Sequence, residues 1–245
     1  MANVLEQAIW IAPPLDKEEI VYPDSDGQGM PDGDPQREAM FNVLKILERR
    51  FEDDPNVYIT GNSFVYYVEG DPTQVFSPDV MVVKGVPRGL RDNYKFLEEG
   101  DRAPSFVMEI AAKTTYDKDL GRNKSLYRLL RIPEYVLYDY TGGKYYKPPL
   151  QGFRLVKGNW VSIARGNTVK SEELGIEFRL VGDELHLHDA ATGERLLPAE
   201  AALKVAEQKL AEAEARAKEE ASARQRAEAR IAELVAELER LKRND

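Results

Sequence analysis

Two carboxylates stand where apolar strands should run. Ser105-Phe106-Val107-Met108-Glu109-Ile110 follows Pro104 and carries a charge inside an almost unbroken apolar run. A charge there is costly unless it is paired or bound to a metal. Asp79 stands just before Val80–Val83, an earlier short apolar run. If the two runs are neighbouring strands, both acids meet at one end of a sheet. Two carboxylates sharing a site raise each other's pKa unless a divalent cation neutralises them. A small set of hard oxygen ligands suits Mg²⁺, or Mn²⁺ in its place. Such an ion polarises a phosphate and lowers the pKa of bound water, and a nearby lysine offsets charge in the transition state. The competing readings are structural: Asp79 capping the turn into its strand, and Glu109 in a buried salt bridge with Arg122.

The elements that must place these acids are legible in outline. Residues 1–33 are rich in Pro, Asp and Gly and read as an irregular arm. Met40, Leu44, Leu47 and Phe51 recur at helical spacing, with Asp34 as an N-cap, Pro35 in the first turn and Asp53-Asp54-Pro55 as the stop. Glu38 lies in the first turn of this helix. It is a candidate third metal ligand, or simply a charge favoured by the helix dipole. Val57–Thr60 and Ser63–Val68 read as strands around Gly61-Asn62, and residues 84–102 as a surface loop containing a helical turn. Asp117–Leu130 predicts a helix whose apolar face is Leu120, Leu126, Leu129 and Leu130, followed by a strand over Glu134–Asp139. Strand, helix and strand in so short a span fit a right-handed crossover between parallel strands. Beyond Thr141 the turn signals Gly142-Gly143, Lys157-Gly158-Asn159, Gly182-Asp183 and Thr192-Gly193 separate short alternating runs, so hairpins are expected to residue 197. His186 and His188 alternate onto one face and read as a solvated hairpin surface.

Residues 198–245 are a different material, dominated by Ala, Glu, Lys, Arg and Leu. Leu203, Leu210, Ala217, Ile231 and Leu238 share one heptad position; Ala206, Ala213, Ala227, Leu234 and Leu241 share the other. Glu220 and Arg224 interrupt the seam. The pattern predicts a coiled-coil helix and a homo-oligomer, most simply a homodimer. The organisation expected is an arm (1–33), an α/β domain with an antiparallel extension (34–197) and a helix (198–245).

Composition narrows the function classes. There are no cysteines, which removes disulfides and thiolate metal sites and fits a reducing, cytoplasmic setting. No apolar run approaches the length of a membrane span, and the first residues carry no secretion-signal pattern. The net charge of −9 argues against a broad nucleic-acid surface, though not against a local basic patch. Phosphate-binding glycine loops, dinucleotide fingerprints and a Ser-His-Asp order are not found.

The chain resembles the PD-(D/E)XK nuclease superfamily and, more narrowly, the Uma-two family of restriction-type endonucleases. The resemblance is carried by Ser77-Pro78-Asp79-Val80, Pro104–Ile110, Asp119-Leu120-Gly121-Arg122, Leu126-Tyr127, Pro133-Glu134-Tyr135, Leu150–Leu155 and the Ala-Glu-Arg-rich tail. No single motif is specific; their order and spacing are. The resemblance implies a restriction-endonuclease-like mixed sheet flanked by helices, Mg²⁺ at Asp79 and Glu109, and hydrolysis of DNA, with RNA as an alternative substrate. It also implies a lysine that this chain misplaces. Two positions after Glu109 stands Ala111, with Lys113 two further on and, by strand alternation, on the same side as Glu109. Four positions after Asp119, where the family places a lysine, stands Asn123, with Lys124 adjacent and Tyr127 at the tyrosine position that follows. Lys113 or Lys124 is the expected catalytic cation; without either, the chain reads as a non-catalytic binding or assembly module.

Overall fold

The computed structural model describes residues 21–23 and 33–243; the N-terminal arm lies largely outside them. The first helix, α1 (Asp34–Arg50), starts one residue earlier than its cap signal, with Gly33 as N-cap and Asp34 inside, paired to Arg37. It buries Met40, Val43, Ile46 and Leu47, the stripe that 3.6-residue periodicity predicts.

Six strands form the central sheet: β1 (Val57–Thr60), β4 (Val80–Lys84), β6 (Phe106–Ile110), β7 (Glu134–Tyr138), β8 (Leu150–Val156) and β9 (Asn159–Ser162), hydrogen-bonded in that order. Only β6 and β7 run parallel. The connection between them is the helical crossover that parallel pairing demands. Between β1 and β4 lie β2 (Val65–Tyr66) and β3 (Val75–Phe76). With β5 (Tyr94–Lys95) these two make a small second sheet in the order β3-β2-β5. The segment expected to be a surface loop therefore contributes a strand, because Tyr94 is completely buried and stacks on Tyr58 at 5.9 Å.

The crossover is not one regular helix. A short turn, α2 (Tyr116–Lys118), passes through a five-residue π-helical segment (Asp119–Asn123) into α3 (Lys124–Leu129). The wider turn changes which residues face inward. Leu129 is 76% exposed and Leu120 is also exposed, while Tyr127 is fully buried. Of the leucine face expected from sequence, Leu126 and Leu130 pack partly buried against the core, beside a tyrosine whose hydroxyl finds a partner inside.

The remaining strands, β10 (Ala164–Arg165), β11 (Thr168–Ser171), β12 (Ile176–Val181), β13 (Glu184–Asp189) and β14 (Arg195–Leu196), form an antiparallel meander in chain order. A 45-residue helix, α4 (Ala199–Arg243), follows. Among the described residues no helix is long and apolar enough to cross a membrane.

Alternation along β4 and β6 divides the core in two. Val80, Val82, Phe106, Met108 and Ile110 face α1 and the meander, where Phe106 stacks on Phe178 at 5.7 Å. Met81, Val83 and Val107 face the crossover, against Tyr127, Tyr135 and Tyr146. Gly152 marks where the meander crosses β8: a Cβ there would come within 2.3 Å of Val169 Cγ1. At the same corner Glu134, wholly buried, accepts from the Arg154 guanidinium at 2.8 Å and from the Glu172 amide at 3.0 Å. These contacts give the Pro-Glu-Tyr motif a structural duty.

Phe106→Ala is expected to destabilise the domain by about 3–5 kcal/mol, whereas Leu129→Ala at the exposed position costs under about 0.5 kcal/mol. Urea unfolding of the two variants measures the difference.

Candidate active site

Asp79 and Glu109 meet. The β4–β6 register pairs Val80 with Met108, so the next residues outward, Asp79 and Glu109, are opposite each other and share a face. They are joined by a reciprocal clasp. The Asp79 amide donates to Glu109 Oε2 at 3.1 Å, and the Ile110 amide donates to Asp79 Oδ2 at 2.6 Å. Asp79 keeps this position because Gly61 lets the β1–β2 turn lie directly on its backbone: a Cβ at residue 61 would stand 2.4 Å from the Asp79 carbonyl oxygen. The Asn62 amide donates to the Pro78 carbonyl at 2.9 Å and completes that contact.

The crossover supplies the lid. Tyr127 donates its hydroxyl to Glu109 Oε1 at 2.5 Å, and Asn123 Nδ2 approaches the same oxygen at 3.5 Å. Asn123 also donates to Asp119 Oδ1 at 2.9 Å, and Tyr146 donates to Asp119 Oδ2 at 2.7 Å. Asp119, Asn123 and Tyr127 are spaced at four and four. The π-helical segment brings all three over the sheet in one row; such single-turn departures from α geometry concentrate at functional sites. Tyr146 arrives from a loop after β7 that Asp139 organises, accepting from the Tyr145 and Tyr146 amides at 2.6 and 2.9 Å.

Three acids are thus gathered over one end of the sheet, and the side-chain partners of Glu109 and Asp119 given above are neutral. Burial pushes Glu109 well above the ordinary carboxylate range, and the charges of Asp79 and Asp119 push it further. Asp119 is raised as well, mainly by burial, against the hydrogen bonds from Tyr146 and Asn123. Burial and the Glu109 charge likewise raise the Tyr127 phenol, which stays a donor. The salt bridge weighed for Glu109 is not formed: Arg122 is exposed.

The lysines are placed differently from the sequence expectation. β6 ends at Ile110, so strand alternation does not carry to Lys113, which is exposed in the turn that follows. Lys124 is turned along the sheet: its Nζ sits 3.4 Å from the centre of the Phe153 ring on β8, and burial lowers its pKa. Glu38 is exposed and lines a groove of about 1040 Å³ with Tyr138, Asp183 and His186. The α1 side chain that reaches the site is Gln36, buried, donating to the Ile110 carbonyl at 3.2 Å. Two helical residues differ by roughly 200° around the axis, so a Gln36 that faces the sheet sends Glu38 away. Asp119, Asn123, Tyr146 and Gln36 complete the site beyond the acids singled out from sequence. The four-residue spacing of the crossover trio was a readable signal; Tyr146 and Gln36 had none. His186 and His188 stand on one hairpin face with rings 6.4 Å apart, bonded to Glu184 and the Gly193 carbonyl.

Tyr127→Phe removes the hydroxyl that meets a buried carboxyl and is expected to cost about 1–3 kcal/mol of stability, read by urea unfolding. The pH dependence follows from the raised carboxyls. Their folded pKa values exceed the ordinary 4.5 for Glu109 and 3.8 for Asp119. Their contribution is therefore fully present below those values and is lost as pH rises through the folded ones. In chelator-treated protein the melting temperature should fall between mildly acidic and neutral pH, and Glu109→Gln should flatten that slope.

The chain resembles a crystal structure described as a putative nuclease belonging to DUF820 from Anabaena variabilis. Identity is 12% and the TM-score 0.41, over 60% of this chain and 76% of that one. Among curated proteins none matches. The family described as Uma2, putative restriction endonuclease, matches residues 14–182, more than half of the chain. The protein belongs to the Uma2 family of restriction-type endonucleases.

Proposed function

We propose that the protein is a divalent-metal-dependent endonuclease that hydrolyses phosphodiester bonds of DNA, with Asp79 and Glu109 as the metal ligands. The observation that carries this reading is the reciprocal clasp between the two acids, at the end of adjacent strands and beside a third carboxylate. An arrangement so unfavourable to its own charges is what a dication relieves. Among the described residues no group of three or more His, Asp or Glu could hold a metal ion; the donors on this reading are two carboxylate side chains, hard oxygen ligands of the kind Mg²⁺ or Mn²⁺ takes, with water completing the shell. The ion would polarise the phosphate and lower the pKa of an attacking water.

This chain's own residues do the positioning. Tyr127 fixes the Glu109 carboxylate from one side and the Asp79 amide fixes it from the other. Asn123 and Tyr146 occupy both oxygens of Asp119 and hold it as a neighbour of the ligand pair. Lys113, exposed just past the end of β6, would be the cation that meets a phosphate; Lys124, held on Phe153, would have to leave that ring first.

A second reading is favoured by one observation. Asn123, a neutral residue, stands between Glu109 and Asp119 where the family pattern has lysine. On this reading the domain binds nucleic acid or a protein without cutting it.

The two are separated by cleavage of duplex DNA in Mg²⁺ or Mn²⁺ at low salt. For a nuclease, Asp79→Asn and Glu109→Gln each lower the rate at least about a hundredfold and abolish the rise in melting temperature on adding the ion. Lys113→Ala lowers the rate without that loss. An inactive wild type that gains activity as Asn123→Lys establishes the second reading. Cleavage unchanged by Asp79→Asn and Glu109→Gln overturns the site.

A further inference from the structure

Helix α4 leaves the domain at Ala199 and presents an uncovered apolar stripe. Leu203, Leu210 and Ile231 are each 61% exposed and Leu234 is 45% exposed. On the described helix every residue from 203 to 236 is exposed, so the domain does not fold back on the seam. A lone helix in water would not retain such a stripe without something to cover it.

The order of residues along the stripe identifies the cover. The seam reads Leu210, Ala213, Ala217, Glu220, Arg224, Ala227, Ile231, Leu234, and it is self-complementary about Ser222. Turned end for end, a second copy sets Leu210 against Leu234, Ala213 against Ile231, Ala217 against Ala227, and Glu220 against Arg224. Each small residue near the ends then meets a large one, and each seam charge meets its opposite, twice by symmetry. Parallel pairing instead stacks Glu220 on Glu220 and Arg224 on Arg224 inside the seam, and leaves Ala213 against Ala213. The rim argues the other way: antiparallel pairing brings Arg216 near Arg230 and Glu214 near Glu228. These side chains are exposed at the margin, and Arg216 and Arg230 already have acidic neighbours on their own helix, Glu212 at 3.9 Å and Glu233 at 2.9 Å. Exposed pairs count for little beside like charges set face to face in a seam.

We infer that α4 pairs with the α4 of a second copy of this chain as an antiparallel two-stranded coil centred on Ser222, with Glu220 and Arg224 fixing orientation and register. The paired segment, residues 210–234, spans roughly 36 Å, so the two domains stand at opposite ends of the coil. If the endonuclease reading holds, the two sites are tethered apart and do not face one another across a single base step. That consequence rests on the reading; the pairing does not, and its test uses no substrate.

The chain has no cysteine, so introduced thiols report without background. Light scattering over a concentration series should give twice 27.8 kDa. Under mild oxidation an equimolar mixture of Ala217→Cys and Ala227→Cys full-length chains should give a disulfide-linked pair of one chain of each kind, and neither variant alone should cross-link. Glu220→Arg should raise the dimer dissociation constant about tenfold or more, and the swap Glu220→Arg with Arg224→Glu should restore it. Cross-linking of each single variant with itself establishes parallel pairing and overturns the proposal. A mass of one chain at every concentration overturns self-association, and a mass of three chains overturns the two-stranded coil. Cleavage assays on the same samples are scored separately, so an inactive but antiparallel dimer sinks only the nuclease reading.

Discussion

A carboxylate held inside an apolar strand governs this domain. Glu109 cannot be solvated where it stands, so its surroundings are arranged around it: a hydroxyl from Tyr127, an amide from Asp79 and the edge of Asn123. These groups orient the charge without cancelling it. Asp79 and Asp119 make the position worse. Carboxyls perturbed in this way cluster at functional sites. Glu134 is the internal comparison. It is equally buried on the neighbouring strand, yet it is matched by an arginine and serves only to tie β7 to the meander.

The crossover between β6 and β7 is where that constraint reshapes the backbone. Across the π-helical turn and α3, Asp119, Asn123 and Tyr127 face inward with Leu126 and Leu130 beside them, and Leu129 is exposed. Polar atoms stand over Glu109 while Leu120 and Leu129 stay outside. Tyr127 and Tyr135 pack as an edge-on pair with centroids 5.0 Å apart, and Phe76 closes on Tyr127 at 5.3 Å. Aromatic rings supply large buried area while their hydroxyls reach polar partners.

Asn123 links two of the acids without a charge of its own. The amide reaches both Glu109 and Asp119 and so preserves the bridge. It adds no positive charge beside them. Lys124, one position on, is turned along the sheet, where Phe153 holds the ammonium and burial lowers its pKa.

Much of this could be read from the chain. Apolar runs ending in acids marked β4 and β6, and the strand–helix–strand spacing fixed the parallel β6–β7 pair. The turn residues placed the hairpins, and the two halves of the acidic pair were named because a charge in an apolar strand is a local contradiction. Those features depend on periods of two and of 3.6 and on residue chemistry within a few positions. What needed the tertiary structure was set by contacts between distant segments. Gln36 rather than Glu38 faces the site because the rotation of α1 is fixed by its packing. Lys113 lies off the strand because β6 stops at Ile110. Tyr146 reaches Asp119 because Asp139 folds its loop. Leu129 is outside because the side of the crossover that meets the sheet is taken by Tyr127, Leu126 and Leu130. Local pattern specifies elements, but only the packed sheet decides which side chains around a buried charge are close enough to matter.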